Sequence, residues 1–258
     1  MSSNIPSPAR PERHSGAGDL PHIDVTERGA PRDGVPQELN RRLFMQLIVL
    51  SAEADADLDR VARSLNEVLA SHSVGHVIYE DVSDLRGLGV LTWAEDPSVF
   101  VSAVRTGVNR FSSQFRQRLD FTMLGRTYSS GYEADVAFWL LDRPRDTVLN
   151  ADWPWAIWYP LRRSGAFAKL EPREQGAILR EHGTIGRAYG AQNLAHDVRL
   201  ACHGLDVRDN EFVIGLVGPE LHPLSHIVQT MRKTRQTSEF IQQMGPFFVG
   251  RAILRHRG

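Results

Sequence analysis

The sequence repeats one order of secondary structure in its two halves, and this repeat limits the possible folds more than any single motif does. Apolar runs and helical spacings in the first half predict the order strand, helix, strand, strand, helix, strand. The predicted elements are a strand at 43–50, a helix at 55–71, strands at 76–82 and 87–93, a helix after Pro97 with Val101, Val104 and Val108 on its buried face, and a strand at 120–125.

The second half predicts the same order. Its elements are a strand at 155–159, a helix from 172 to about 185, a hairpin of strands at 195–202 and 211–217 around the Gly-Leu-Asp turn at 204–206, a helix from about 222 to 244, and a strand at 246–254. Segments 92–105 and 215–232 occupy equivalent places, because each reads as a strand, a turn containing proline and a helix.

Two β-α-β-β-α-β units predict an α+β fold of two tandem ferredoxin-like modules, residues 37–150 and 151–258. Helices cover one face of each sheet, so the other face must be buried elsewhere. Packing the two sheets face to face gives a body of the dimeric α+β barrel type, whose interior we expect to hold a large, flat, apolar ligand. Residues 1–36 are rich in Pro, Gly, Ser and charge, which predicts a disordered N-terminal arm.

Composition excludes several classes of function. The formal net charge of −1 gives no polybasic surface for nucleic acid. No apolar run approaches the roughly 18 residues of a membrane span, and the N-terminus lacks the apolar core of a secretory signal, so a soluble cytoplasmic protein is expected. Cys202 is the only cysteine and is interpreted as a small buried residue. No phosphate-binding glycine loop, HExxH, CxxC or GxSxG motif is present.

One histidine and one tyrosine have sequence surroundings suited to a cofactor. His182, in LREHGTIGRAYG, is near the end of a predicted helix, and Ile178 and Leu179 share its apolar face. Such a histidine is most often a structural residue with a satisfied hydrogen bond, and the alternative is an iron ligand. Tyr159, in WAIWYPLRRSG, follows several tryptophans that suit the wall of a macrocycle site, although aromatic residues at this spacing more often belong to simple core packing with the hydroxyl at a rim.

The arginines that follow Tyr159 also have two interpretations. Arg162 and Arg163 come directly after the aromatic strand. Two guanidinium groups there suit carboxylate binding, and the alternative is a solvated surface pair.

Several motifs together resemble those of the chlorite dismutase family, and most closely its coproheme decarboxylase branch. The motifs are WYPLRRSG, LREHGTIGRAYG, the Gly-Leu-Asp turn, MRKT and GPFFVGR, in the order of that family. The resemblance covers roughly residues 40–254 and is strongest between 155 and 250. It implies a ring of five identical subunits.

The resemblance also implies roles for particular residues. His182 corresponds to the proximal iron ligand, and Tyr159 to the redox tyrosine of decarboxylation. Arg163, Arg232 and Arg145 correspond to arginines that contact the propionates of the porphyrin. The implied substrate is iron coproporphyrin (coproheme), which is also the heme cofactor, and the implied oxidant is hydrogen peroxide. A tyrosyl radical would convert two propionates into the vinyl groups of heme b.

The distal side of the implied porphyrin departs from the family pattern. Two ways of counting place the distal position at Ala195 or at Asp197, and neither is the arginine of true chlorite dismutases. Strand alternation puts the intervening His196 on the face of Val198 and Leu200, which we expect to point inward. His196 is therefore a candidate distal acid-base group, and a hydrogen-bonded core or rim histidine is the alternative.

Three functions remain open at this point. The first is peroxide-dependent coproheme decarboxylation, and the second is a chlorite-degrading or peroxidase-like activity of the same family. The third is heme binding without turnover. Only the presence of Tyr159 separates the first from the third on sequence alone.

Overall fold

The computed structural model describes residues 20–258. The strands are β1 Glu27–Arg32, β2 Val35–Leu39, β3 Phe44–Ala52, β4 Gly75–Asp81, β5 Gly87–Ala94, β6 Phe115–Gln117, β7 Met123–Arg126, β8 Trp155–Arg163, β9 His196–Ala201, β10 Phe212–Gly218, β11 Ile241–Met244 and β12 Phe248–His256. The α-helices are α1 Leu58–Ser71, α2 Arg105–Asn109, α3 Arg143–Leu149, α4 Gly165–Ala168, α5 Pro172–Ala191 and α6 Leu221–Met231.

Each half of the chain forms a four-stranded antiparallel sheet with the same topology. The first sheet has the order β7-β3-β5-β4, and the second has the order β12-β8-β10-β9. Numbered within its own half, each sheet reads 4-1-3-2, which is the order that the β-α-β-β-α-β repeat produces. The predicted α+β class with two ferredoxin-like modules is therefore confirmed.

The two sheets are also joined edge to edge, which the sequence did not indicate. Strand β4 pairs with β12, where Tyr79 lies opposite Ala252, and β7 meets β9, where Arg126 lies opposite Ala201. The last strand of each module therefore pairs with the second strand of the other. Because β8 pairs with both β10 and β12, these eight strands close into a barrel.

The interior of this barrel is filled by side chains. Trp158, Tyr79 and Phe248 are almost completely buried there, together with aliphatic residues from nearly every strand. An eight-stranded barrel is just wide enough for its own side chains. The expectation that the interior holds a large flat ligand is therefore wrong, and the outer faces of the sheet, under the helices, have to be considered instead.

The helices cover the outer faces of the two modules separately. Leu65 and Leu69 of α1 pack on Ile78 and Val90 of the first module. Leu224 and Ile227 of α6 pack on Ile157, Tyr159 and Leu216 of the second. Among the described residues, no helix is both long and apolar enough to cross a membrane.

Several predicted helices and strands have different bounds in the structure. The predicted helix at 222–244 ends at Met231, and Ile241–Met244 forms a strand that pairs with β8. Val101 is 58% exposed, because a π-helical turn at Phe100–Val104 changes the phase of the helix. The predicted strand at 120–125 begins only at Met123, after a 3-10 turn.

Part of the predicted disordered arm is a hairpin. Strands β1 and β2 pair around Asp33 and Gly34, which both have positive φ and form a two-residue turn. Asp-Gly is a favoured sequence for such a turn, so the disorder prediction was wrong for residues 27–36. The amide of Ala30 donates to the Glu133 carbonyl at 2.9 Å and anchors the hairpin on the first module. Residues 1–19 of the predicted arm lie outside the described residues.

Candidate functional site

The candidate site lies on the outer face of the second module, between its sheet and α5. In the strand register, Ile214 of β10 lies opposite Tyr159 of β8 on one side and opposite Arg199 of β9 on the other. The next row consists of Ile157, Leu216 and Asp197. Because side chains alternate along a strand, both rows project to the same outer face.

Tyr159 is held firmly in this face. It is 6% exposed, and its ring stacks on Phe247 with 4.6 Å between the ring centroids. Burial raises the pKa of Tyr159 well above its usual value, the Asp197 carboxylate raises it further, and Arg232 opposes both. The phenol therefore keeps its proton at neutral pH and lies within electrostatic reach of a carboxylate and a guanidinium group.

His182 faces the same group of charges from α5. Burial lowers its pKa, Arg199 lowers it further, and Asp197 and Glu181 oppose the shift. Its Nδ1 atom is buried and has no hydrogen-bond partner among the described residues. A neutral imidazole with an unpaired nitrogen can act as a metal ligand, whereas the structural alternative called for a satisfied hydrogen bond.

Helix α5 packs loosely against the sheet. Only Ile178 is buried along its twenty residues, and Leu179, predicted to share the inward face of His182, is 45% exposed. A Cβ atom added at any of four glycines of α5 would meet no atom closer than 3.7 Å; these are Gly176, Gly183, Gly186 and Gly190. Glycine costs about 1 kcal/mol relative to alanine in a helix, so open space beside four glycines suggests that something else needs that room.

A cavity beside β8, among the described residues, is far smaller than a porphyrin. Its volume is about 10 Å³, it is lined among others by Leu119, Pro160 and Pro246, and it has room for little more than one water molecule. Pro160 is also on the opposite side of β8 from Tyr159. Open space of another kind lies beside the glycines of the loosely packed α5.

The predicted arginines differ in position. Arg232 directly follows α6, and its positive charge acts to lower the pKa of Tyr159. Arg163 is on the outer face of β8, where its Nε donates to Glu211 Oε2 at 3.0 Å and its guanidinium stacks over Phe167 and Phe212. These contacts hold Arg163 at the end of the site beyond Tyr159.

Arg145 points away from the candidate site, and Arg143, two residues earlier, points toward it. Arg145 Nη2 donates to Glu95 Oε1 of the first module at 3.4 Å. Arg143 instead reaches the site, where it donates to the carbonyl oxygen of Asp197 at 2.8 Å and to Asp197 Oδ1 at 2.7 Å. Residues two apart on a helix point in nearly opposite directions, so Arg143 faces the candidate site and Arg145 does not.

Asp197 joins two arginines to the site. Arg199 Nε contacts Asp197 Oδ2 at 3.0 Å, whereas Arg143 contacts the other carboxylate oxygen, Oδ1. Burial opposes ionisation of Asp197, but the two guanidinium groups outweigh it and lower the pKa of the carboxyl. The spacing from His182 indicated Ala195 and Asp197 but not Arg199, which lies on the same face of β9. The alternation of β9 was the available signal, because residues 195, 197 and 199 share one face.

His196 lies on the other face of β9. Its ring stacks on Trp153 at 3.6 Å between centroids, and Asn193 Oδ1 is 3.0 Å from both His196 Nε2 and Trp153 Nε1. Val198 on the same face belongs to the filled barrel interior. The distal role predicted for His196 does not fit this position, and the rim-histidine alternative does.

One family model matches the second half of the chain. Residues 142–253 match the family model described as chlorite dismutase. No curated protein sequence matches the chain.

Solved structures of similar fold cover both modules. A putative chlorite dismutase has a TM-score of 0.67 at 14% identity, over 83% of this chain and 95% of that one. A heme-binding protein from Thermus thermophilus has a TM-score of 0.66 at 18% identity, over 83% and 92% of the two chains. A variant of the chlorite dismutase from Candidatus Nitrospira defluvii has a TM-score of 0.63 at 15% identity, over 84% and 93%.

Proposed function

We propose that this chain, whose residues 142–253 match the chlorite dismutase family model, is a heme enzyme that decarboxylates coproheme with hydrogen peroxide. The observation that carries the proposal is the convergence of three groups on one sheet face. These are a neutral histidine with an unpaired buried nitrogen, a buried tyrosine, and several arginines.

The residues present fit an iron porphyrin. His182 would provide the iron ligand, since neutral imidazole is a common axial ligand of heme. Gly183 and Gly186 of α5 leave a surface without side chains next to it, against which a planar macrocycle can pack. Few apolar contacts hold α5 on the sheet, so separating the two to admit the macrocycle costs little.

The arginines suit the four carboxylates of coproheme. Arg232 lies near Tyr159, Arg199 lies in the same row two strands away, and Arg163 lies farther along the same face. A guanidinium group binds a carboxylate through two parallel hydrogen bonds, which fixes orientation as well as affinity. Arg163 would exchange its Glu211 partner for a propionate or share it.

Tyr159 would carry the chemistry of decarboxylation. The bound iron porphyrin supplies oxidising equivalents when peroxide reacts with it. Each propionate becomes a vinyl group and releases carbon dioxide, one proton and two electrons. One peroxide takes up these two electrons with two protons, one of them from solvent, to give two waters. Tyr159 would pass these electrons one at a time, and it loses and regains its phenolic proton as it does so.

The test combines binding with turnover. We expect titration with coproheme to give the spectrum of histidine-ligated iron in the wild type and not in His182→Ala, with the exposed His72→Ala as control. Addition of peroxide should then produce heme b, detected by chromatography. Tyr159→Phe should bind coproheme normally and produce none, whereas Tyr132→Phe, at an 87% exposed tyrosine, should behave as wild type. Heme b formation by Tyr159→Phe at the wild-type rate would exclude the proposed mechanism.

Chlorite decomposition is the second candidate, and the position of Arg199 favours it. The absence of an arginine at Ala195 and Asp197 argued against this activity, but Arg199 projects from the same face in the row of Tyr159. Oxygen evolution from chlorite by the heme-loaded protein, lost in Arg199→Met, would support this candidate. Heme binding with neither activity would leave the third function, binding without turnover.

The pentameric ring implied by the family remains part of the proposal. Light scattering coupled to size-exclusion chromatography measures the mass of the assembly directly. A mass of one or two chains would contradict it.

A further inference from the structure

Two histidines on α6, outside the proposed porphyrin site, have the spacing of a metal-chelating pair. His222 and His226 are four residues apart, and both are exposed. Their ring centroids are 6.0 Å apart. Residues at this spacing share one face of a helix, and two histidines so placed can direct their Nε2 atoms to one ion after side-chain rotation alone.

His226 already has a partner on its other ring nitrogen. Tyr189 Oη of α5 is 2.6 Å from His226 Nδ1 and 3.0 Å from Thr230 Oγ1. When Nε2 binds a metal, the imidazole proton must be on Nδ1, where it can be donated to Tyr189 Oη. The hydroxyl of Tyr189 can in turn donate to Thr230, so the whole chain of hydrogen bonds stays satisfied. Metal-binding histidines usually have such an outer partner.

The chemistry of the pair limits the ion. Imidazole nitrogens suit zinc, copper and nickel, whereas calcium and magnesium prefer oxygen ligands. Among the described residues there is no group of three or more His, Cys, Asp or Glu that could hold a metal, so water would complete the coordination. An open site with two imidazoles follows the usual order of affinities, with copper(II) bound more tightly than zinc(II).

We propose that His222 and His226 form a binding site for a divalent transition-metal ion, with Tyr189 as the hydrogen-bonding partner of His226. The site uses none of the residues assigned to the porphyrin. It joins α6 to α5, because Tyr189 belongs to the helix that also carries His182. Binding of the ion would therefore stabilise the contact between these two helices.

The test uses the porphyrin-free full-length protein without an affinity tag, so its outcome does not depend on the proposed enzyme activity. Calorimetric titration with copper(II) and zinc(II) should show a site of one equivalent that is absent from the double variant His222→Gln and His226→Gln. His72→Gln, at another exposed histidine, should bind as wild type. Tyr189→Phe should bind about 10-fold more weakly, as expected for loss of an outer-shell partner.

Spectroscopy gives a second readout. The electron paramagnetic resonance spectrum of one equivalent of copper(II) should show coupling to two imidazole nitrogens, and that coupling should disappear in the double variant. Both positions are exposed and glutamine is compatible with a helix, so circular dichroism should show folded variants. Equal affinity of wild type and double variant, or no binding by the wild type at millimolar metal, would overturn the proposal.

Discussion

Replacing Gly186 by alanine should stabilise the porphyrin-free protein and weaken porphyrin binding. Gly186 lies one helical turn after His182 on the same side of α5. An added Cβ would have Met231 Cε as its nearest neighbour at 3.9 Å, which is an ordinary contact. The substitution therefore removes the helix penalty of glycine without creating a clash, and we expect the free energy of unfolding to rise by about 1 kcal/mol.

The expected effect on the ligand has the opposite sign. If the macrocycle packs against the glycines of α5, one added methyl group overfills that contact at a cost of about 1–3 kcal/mol. The dissociation constant for coproheme should then rise by roughly 5- to 150-fold. A substitution that stabilises a protein while weakening its ligand is difficult to explain by general damage to the fold.

Gly176→Ala is the matched control. A Cβ there would meet nothing within 4 Å, so the same gain in stability is expected. Gly176 lies about 9 Å along the helix from His182 and on a different side, so binding should not change. Thermal unfolding would show a rise of roughly 2–4 °C for either variant, and absorbance titration would give the affinities. Wild-type affinity in Gly186→Ala would refute the placement of the ligand against α5.

Two further predictions concern stability. Arg143→Met should lower the free energy of unfolding by about 1–3 kcal/mol, since it removes charged hydrogen bonds to Asp197 that link α3 to β9. Urea unfolding measures this loss. An unchanged midpoint would contradict the stabilising role of the Arg143–Asp197 pair. Burial lowers the pKa of His76 in the folded protein below the ordinary histidine value of about 6.5. Below that pH the unfolded state therefore binds more protons at this residue than the folded state does. The contribution of His76 to the free energy of unfolding should be fully present above about pH 6.5 and decrease as the pH falls. His76→Gln should flatten the decline below about pH 6.5, and an equally steep decline in the variant would exclude His76 as its source.

The order of elements could be predicted from sequence because hydrophobic periodicity is a local property. The strand at 43–50 and the strands around the Gly-Leu-Asp turn appear in the structure with shifts of a few residues. The π-helical turn at Phe100–Val104 and the early end of α6 depend on tertiary contacts, and no periodicity indicated them.

The face that forms the site could not be predicted in the same way. Alternation correctly places His196 and Asp197 on opposite faces of β9, but it does not tell which of the two faces is packed with side chains. Closure of the barrel decides this, and closure depends on pairings between distant strands. For the same reason the sequence did not indicate Arg143, because its contact with Asp197 joins residues 54 positions apart.

The pairing of β4 with β12 has a consequence during synthesis of the chain. About 170 residues separate Tyr79 from its partner Ala252, and at roughly 5–20 residues per second the ribosome needs on the order of ten to thirty seconds to supply them. Throughout that time the nascent first module has an open strand edge, which is a template for pairing with another chain. Pairing of β12 with β4 covers this edge. A chain shortened by its last ten residues would keep the edge of β4 open to pairing with other chains.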